Sequence, residues 1–226
     1  MQNAYFPYLT KADRTSSCHD MTGCCVKRLL DIVVSAVAIL CLWPLALVIA
    51  MAIRLTSPGP IFFRQKRIGF QGREFTILKF RSMIAGNDDR RHRSLMRNVI
   101  SGAHATQDKV VKLKDDRRIT PIGRLLRRTC FDEIPQFVNV LKGEMSLVGP
   151  RPAISYEYEL HETWHRLRTR AIPGMTGLWQ VSKRENLNFN NMVALDLTYI
   201  RQQCFTLDLK LLLFTPLAIF VGNGMR

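Results

Sequence analysis

An uncharged run of 22 residues, 32–53, sets the first limit on how this chain can fold. Its length meets the criterion for a helix embedded in a membrane. Pro44 lies near its middle, where a proline removes a helix hydrogen bond and kinks the axis. Cations flank the run on both sides, at Lys27, Arg28, Arg54, Arg64, Lys66 and Arg67. The sequence therefore predicts a membrane helix that is kinked or broken at its centre.

Two membrane topologies agree with this pattern. Lys and Arg tend to stay on the cytoplasmic side, which places both flanks there and favours a re-entrant helix–break–helix hairpin over residues 25–56. A helix that crosses the membrane once, with a proline kink, agrees with the periodicity and charge equally well. A signal peptide fits poorly, because the polar tail and the apolar run are both too long. Residues 1–24 are polar and irregular and predict a disordered tail.

The charge of the chain indicates an anionic partner. Its 226 residues carry a formal charge of +15, and residues 61–128 hold 18 Lys and Arg against 6 Asp and Glu. Such a block beside an apolar segment favours a membrane surface, although it could simply be a solvated basic face. It fits lipid better than single-stranded nucleic acid, so we expect no nucleic-acid partner. The six cysteines form no C-x-x-C pair, which is typical of reduced thiols in the cytosol.

The remaining pattern predicts an α+β fold that is mainly helical. Two short apolar segments, 61–63 and 75–80, flank a glycine-containing turn and predict a small β-hairpin. Thr120 followed by Pro121 predicts the start of a helix over residues 121–128. That helix has apolar and arginine-rich faces, as expected either for an amphipathic interfacial helix or for a surface helix packed on the core. A last apolar stretch, 211–222, is too short to span a bilayer and predicts an interfacial or core helix.

Two adjacent carboxylates, Asp132 and Glu133, precede a predicted short helix that ends at Gly143. Pro135 must lie in its first turn, which puts Asp132 near the N-cap. Asp132, Gln136 and Asn139 have the i, i+4, i+7 spacing of one helix face, and such a polar stripe requires partners. A substrate site is one source of partners. The simpler interpretation is that Asp132 only caps the helix.

Arginines around this helix favour the substrate site. Arg127 and Arg128 precede it, and Arg151 follows between two prolines that stiffen the backbone for bidentate contact with a phosphate. An anionic substrate bound there would lie beside Asp132, which could act as the nucleophile. Glu133 could then hold Mg²⁺, which uses one or two carboxylates together with substrate phosphates. A membrane-tethered protein that only binds an anionic partner through the basic block is the alternative from another class.

The order of motifs resembles that of the bacterial sugar transferases, the monotopic phosphoglycosyl transferases that initiate exopolysaccharide, capsule and O-antigen synthesis. The resemblance covers roughly residues 26–215. After the basic and apolar entry at 27–53, its motifs are SPGPIFFRQ (57–65), KFRSM (79–83), DEIPQ (132–136), GPRP (149–152) and PGMTGLWQV (173–181). Each motif alone is weak, but all of them in this order are highly specific.

The resemblance implies a two-step transfer of a sugar 1-phosphate from a UDP-sugar to polyprenyl (undecaprenyl) phosphate. Asp132 would attack the sugar-bearing phosphate and release UMP, and the lipid phosphate would then attack the adduct. Glu133 would position Mg²⁺. Phosphate and substrate contacts would come from Lys79, Arg81, Arg127, Gln136 and Arg151. The resemblance also implies the re-entrant hairpin and a cytoplasmic catalytic domain, residues 57–226, at the bacterial inner membrane. It names neither the sugar nor the oligomeric state.

Three departures from the family pattern affect these expectations. Cys130 and Phe131 replace the usual Ser-Leu before the carboxylates, which is a conservative change. Trp43 replaces a Ser before the membrane proline and removes a hydroxyl that could satisfy the broken backbone. Lys183 replaces a Gly after the last motif, which could alter a loop and the sugar preference.

Residues 161–165 match the H-E-x-x-H zinc pattern that metalloproteases carry on a helix. A third ligand would have to come from Glu185, Asp196 or Asp208. We interpret the match as a coincidence within a charged amphipathic helix.

Overall fold

The computed structural model describes residues 21–84, 118–182 and 188–221, together with residues 93, 94, 96, 97 and 100. These residues form a mainly helical fold with small sheets, as the sequence predicts. The helices are α1 (Met21–Thr56), α2 (Pro121–Thr129), α3 (Gln136–Lys142), α4 (Ser155–Glu159), α5 (Thr163–Arg166), α6 (Leu178–Val181), α7 (Phe189–Gln202) and α8 (Phe205–Val221). The strands are β1 (Phe62–Ile68), β2 (Glu74–Phe80), β3 (Ser146–Val148), β4 (Ala153–Ile154) and β5 (Gly174–Thr176).

Helix α1 includes the whole uncharged run. It is helical from Met21 to Thr56 with Pro44 inside it, so the expected break does not interrupt the helix. Within the described part of the chain, this is the helix long and apolar enough to cross a membrane, and most of it is exposed. The predicted tail lies outside the described residues apart from residues 21–24, which begin α1.

The first turns of α1 are tied to the rest of the molecule by polar contacts. Lys27 forms a 2.7 Å ion pair with Asp208 of α8. Arg28 donates to two carbonyls in the last turn of α3, at 2.7 and 2.8 Å. The carboxylate of Asp31 accepts from the N–H of Leu147 at 3.0 Å. The charged residues before the apolar run therefore anchor the helix to the body of the protein, a role that their position beside a membrane segment did not suggest.

The second half of α1 packs on the same body through apolar contacts. Ile49 and Ile53 are buried with Phe80 of β2 and Leu126 of α2, and Ile134 packs against this cluster. Helix α2 therefore uses part of its apolar face for core packing. Its predicted start is confirmed, since the Thr120 hydroxyl accepts from the N–H of Gly123, the third residue of the helix, at 3.0 Å.

The predicted hairpin is confirmed as antiparallel β1 and β2, which pair from Phe62 opposite Phe80 to Ile68 opposite Glu74. Strand β4 extends this sheet, and β3 pairs in parallel with β5 in a second one. The sequence did not predict β3, β4 or β5, because strands of two or three residues are too short to show a period-2 pattern. Helix α8 begins at Phe205, six residues before the apolar stretch that predicted it, and contains Pro216.

Candidate active site

The turn that carries the two carboxylates differs from the predicted helix start. Cys130 has a left-handed backbone with φ of 59° and ends α2. A 3-10 turn, Phe131–Glu133, follows, and Pro135 occupies the position before α3. The expectation that Asp132 lies near the N-cap of the helix is therefore wrong. Pro135 has no N–H to donate four residues back, and the segment keeps shorter i→i+3 bonds as far as the first turn of α3.

Both carboxylates are buried, and one is paired with a predicted site residue. Asp132 and Glu133 are 6% and 8% exposed. The ammonium group of Lys79, on β2, lies 2.7 Å from Glu133 Oε1. Buried charges require partners of opposite sign, and strand β2 supplies one across the turn. The structure thus brings Lys79 and Glu133 together.

Arg127 and Arg81, both predicted to contact the substrate, form hydrogen bonds to other parts of the chain. The guanidinium of Arg127 donates to the hydroxyl of Ser82 at 2.9 Å, directly after the KFR segment. The guanidinium of Arg81 donates to the carbonyls of Ser57 and Pro58 at 2.8 and 2.7 Å. These bonds fix the chain where it leaves α1. Arg81 therefore has a structural role, and its contact with substrate remains a prediction.

Arg67 of β1 is influenced by the charges of both Arg151 and Glu133. The pKa of Arg67 is lowered to about 10, because burial and then the charge of Arg151 disfavour its protonated form. Glu157, Tyr156 and Glu133 act in the opposite direction on the same pKa. Arg151 and Glu133 thus both act on the charge of Arg67, and a shared site for Arg151 and the carboxylates remains a prediction. Arg67 was missed from the sequence, where it is one cation among several in a strand.

The predicted polar stripe divides into two roles. Asn139 is fully buried and binds the outer edge of β2, accepting from Leu78 N at 3.0 Å and donating to Thr76 O at 2.8 Å. Its amide also donates to Glu144 at 2.6 Å. Gln136 is 2% exposed, and its Nε2 has no hydrogen-bond partner among the residues described. Asn139 therefore serves the fold, and Gln136 has hydrogen-bonding capacity left for a ligand.

A divalent cation fits the site only if the substrate completes its shell. The described residues contain no group of three or more His, Cys, Asp and Glu side chains that could hold a metal ion. Mg²⁺ needs fewer protein ligands, because it uses one or two carboxylates plus phosphate oxygens and water. Asp132 and Glu133 supply carboxylates of this kind.

The zinc-like segment does not have the geometry of a zinc site. Helix α5 begins at Thr163, so His161 and His165 do not share one helix as the motif requires. Both nitrogens of His165 are engaged, one by the N–H of Glu162 at 3.1 Å and the other by Asn190 at 3.0 Å. The pKa of His161 is lowered to about 3, mainly by burial. The expected amphipathic helix across this motif is wrong, and the histidines pack in the core.

The comparison with known proteins decides the family. Residues 22–222 match the profile of a family described as bacterial sugar transferase. The chain belongs to the bacterial sugar transferase family. This confirms the resemblance seen in the motifs, and the protein is a transferase.

Three bacterial sugar transferase relatives illustrate the match. The chain is 36% identical over 200 residues to the exopolysaccharide production protein ExoY of Sinorhizobium fredii, covering 88% of this chain and 87% of ExoY. It is 40% identical over 201 residues to galactosyl transferase CpsE of Streptococcus agalactiae, covering 88% of this chain and 43% of CpsE. It is 37% identical over 199 residues to the undecaprenyl-phosphate galactose phosphotransferase of Salmonella typhimurium, again over 88% of this chain but 41% of the relative. The chain thus spans nearly all of ExoY and less than half of the other two.

Glycines of two sugar transferase motifs have a steric explanation. A side chain at Gly174 would collide with the backbone of Gly149, and one at Gly177 would lie 2.5 Å from the carbonyl of Gly149. The GPRP and PGMTG motifs therefore meet through backbone contacts that only glycine permits. Trp179, in the second motif, stacks near Arg151, whose guanidinium carbon lies 6.0 Å from its ring centroid.

Proposed function

We propose that this protein transfers a sugar 1-phosphate from a UDP-sugar to undecaprenyl phosphate and so begins the assembly of an exopolysaccharide or related glycan. Relatives are named for this type of reaction, among them a UDP-glucose:undecaprenyl-phosphate glucose-1-phosphate transferase of Klebsiella pneumoniae, 39% identical over 207 residues. The observation that carries the proposal is the buried pair Asp132–Glu133 with Lys79 at 2.7 Å, beside the apolar helix α1.

In the first step a carboxylate oxygen of Asp132 attacks the sugar-bearing phosphorus of the UDP-sugar. An Asp–phosphorus bond forms, the bond from that phosphorus to the bridging oxygen breaks, and UMP leaves with the bonding electrons. In the second step a phosphate oxygen of the lipid attacks the same phosphorus and displaces Asp132. Lys79, Arg127 and Arg151 neutralise charge on the phosphoryl oxygens, which is the main requirement of this chemistry.

Glu133 would hold Mg²⁺ together with oxygens of the substrate diphosphate. The bound ion would add positive charge at the phosphates. The donor types support this assignment, since a carboxylate and phosphate oxygens are the usual ligands of Mg²⁺. Lys79, which pairs with Glu133 in the structure, supplies positive charge at the same carboxylate.

The position of the site supports a lipid substrate. Ile134 directly follows Glu133 and packs against the cluster that contains Ile49 and Ile53 of α1. The nucleophile therefore lies a few residues from the surface of a largely exposed apolar helix. A lipid phosphate at the membrane surface and a soluble UDP-sugar could both reach it.

The contacts of α1 also support the re-entrant topology, with the catalytic body on the cytoplasmic face of the inner membrane. Arg28 reaches the end of α3, and Ile53 belongs to the cluster beside Ile134, just before α3 begins. These points on the body are separated by a helix of seven residues, about 10 Å. A straight helix would place Arg28 and Ile53 about 38 Å apart. A bend near Pro44 reconciles the two lengths.

Release of UMP tests the proposed reaction. Membranes containing the protein, incubated with Mg²⁺, undecaprenyl phosphate and a panel of UDP-sugars, should release UMP from at least one of them. Asp132→Asn keeps the shape of the side chain and removes the nucleophile, so it should abolish that release. Undiminished UMP release by Asp132→Asn would overturn the proposal. The panel also identifies the sugar.

A further inference from the structure

Arg151 lies in a segment whose three backbone carbonyls are all engaged. The carbonyls of Pro150, Arg151 and Pro152 accept from Gly174 N at 2.9 Å, Arg168 Nη2 at 2.9 Å and Arg67 Nη1 at 3.0 Å. Prolines have no N–H, so the segment has one N–H, that of Arg151, and it faces the carboxylate of Asp196. The three carbonyl bonds fix the backbone from which the Arg151 side chain projects.

Two of these partners are bonded to each other. Arg168 Nη2 lies 2.6 Å from Asp196 Oδ2, and their side chains are 9% and 1% exposed. One end of this pair contacts the carbonyl of Arg151 and the other faces its N–H. The Arg168–Asp196 pair therefore lies against the carbonyl and the N–H of the same residue, Arg151.

Keeping a charge at Asp196 is unfavourable in this environment. Burial raises the pKa of Asp196 to about 6, although Arg168 and the backbone N–H of Arg151 act to lower it. Nearby His161 is neutral, since its pKa is lowered to about 3 by burial and by Arg168. Buried ion pairs are often no better for stability than apolar residues of the same volume. A role in positioning Arg151 would explain why the buried Arg168–Asp196 ion pair is present.

We propose that Arg168 and Asp196 act as positioning residues that hold Arg151 in the orientation in which it contacts the substrate phosphate. We call this pair the Arg151 clamp. The inference rests on the proposed function, because it concerns the arginine that would bind the diphosphate of the UDP-sugar. Neither residue belongs to a motif that pointed to the site, and they lie on the 3-10 turn Leu167–Arg170 and on α7.

A double-mutant cycle tests the clamp. UMP release is measured for Arg151→Ala, Asp196→Asn and the double variant, with the UDP-sugar that the unaltered protein uses. Each single change should lower kcat/KM by roughly 10- to 100-fold, the range for residues that orient a ligating group. The double variant should be no worse than Arg151→Ala within about threefold, because the clamp acts only through Arg151. Arg168→Lys, which keeps the charge, should lose less than Arg168→Met.

Asp208→Asn is the matched control, since it breaks another buried ion pair, with Lys27 at 2.7 Å, whose ammonium group bonds the carbonyl of Val148 and not that of Arg151. Its effect should be additive with Arg151→Ala. Additive effects of Asp196→Asn and Arg151→Ala, or a loss in Asp196→Asn no larger than in Asp208→Asn, would overturn the clamp. Unchanged release by Arg151→Ala would overturn it as well.

Failure of the clamp and failure of the proposed function give different results. If the clamp fails alone, Asp132→Asn still abolishes UMP release. If Asp132→Asn leaves release intact, the proposed function fails. The affinity of each variant for UDP, measured by calorimetry, then tests whether Arg168 and Asp196 position Arg151. In that case Arg151→Ala and Asp196→Asn must weaken UDP binding by similar, non-additive factors, and any other result overturns the clamp.

Discussion

Asn139 and Gln136 lie one turn apart on α3 and are both enclosed, yet they have different environments. The Asn139 amide satisfies two backbone groups at the open edge of β2. Gln136 Nε2 has no hydrogen-bond partner in the described part of the chain. The sequence predicted that both face the same way, and both are buried. The sequence could not assign different roles to Asn139 and Gln136, because the partners of Asn139 come from a strand some 60 residues earlier in the chain.

This difference predicts opposite outcomes for two substitutions that keep volume. Asn139→Leu should lower the free energy of unfolding by roughly 3 kcal/mol, since it leaves partly buried backbone groups of β2 and the carboxylate of Glu144 without this partner. Gln136→Met should leave stability within about 1 kcal/mol of the parent and reduce UMP release. Denaturant unfolding in detergent and the UMP assay measure the two effects. A stability loss in Gln136→Met equal to that in Asn139→Leu would contradict the division.

The sequence identified candidate site residues that lie in short motifs, and it missed those whose partners are distant in the chain. Lys79, Asp132, Glu133 and Arg151 belong to short motifs with recognisable chemistry. The partnership of Arg168 with Asp196 leaves no comparable signal, because it joins two segments through tertiary folding. Arg81 shows the converse: it lies in a motif, but its guanidinium is bonded to the chain after α1.

At the scale of elements, the Arg151 segment directly follows β3, which pairs in parallel with β5. Gly174 permits the close approach of these two strands. Local patterns identified the β1–β2 hairpin because its turn residues and strands are adjacent in sequence. They did not identify β3 and β5, which are separated by about 25 residues and have three residues each.

Gly174→Ala should therefore damage both fold and activity. The added methyl group collides with the backbone of Gly149, which cannot rotate away as a side chain would. We expect a loss of roughly 3 kcal/mol in the free energy of unfolding, with UMP release lowered further because Arg151 moves. Gly72→Asn is the control. Gly72 has φ of +76° and space at its Cβ, and asparagine tolerates this backbone, so the loss should stay below about 1 kcal/mol. Equal losses in the two variants would show that crowding at Gly174 is unimportant.

At the scale of the whole molecule, both halves of α1 contact one body, while Val37, Leu40 and Trp43 near its centre are exposed. The polar ties at Lys27, Arg28 and Asp31 hold the first half, and apolar packing holds the second. From charge and hydropathy alone, a single crossing and a re-entrant hairpin were equally good. Contacts at both ends support the proposed re-entrant hairpin, since a helix that crosses a bilayer separates its ends by the full hydrocarbon thickness of about 30 Å.

Cysteine labelling tests the resulting topology. Cys25 precedes the apolar run and is exposed, and Lys66 lies after it in β1 with 74% of its side chain exposed. Two variants are needed: one that keeps Cys25 with every other cysteine changed to serine, and a cysteine-free chain carrying Lys66→Cys. A membrane-impermeant maleimide should label both in inside-out vesicles and neither in intact spheroplasts, because a re-entrant helix returns both flanks to the cytoplasm. Labelling of Cys25 in spheroplasts, with Lys66→Cys labelled in vesicles, would establish a single crossing. The contacts of Lys27 and Arg28 with the catalytic body would then be impossible in the membrane-bound protein, since the bilayer would lie between them.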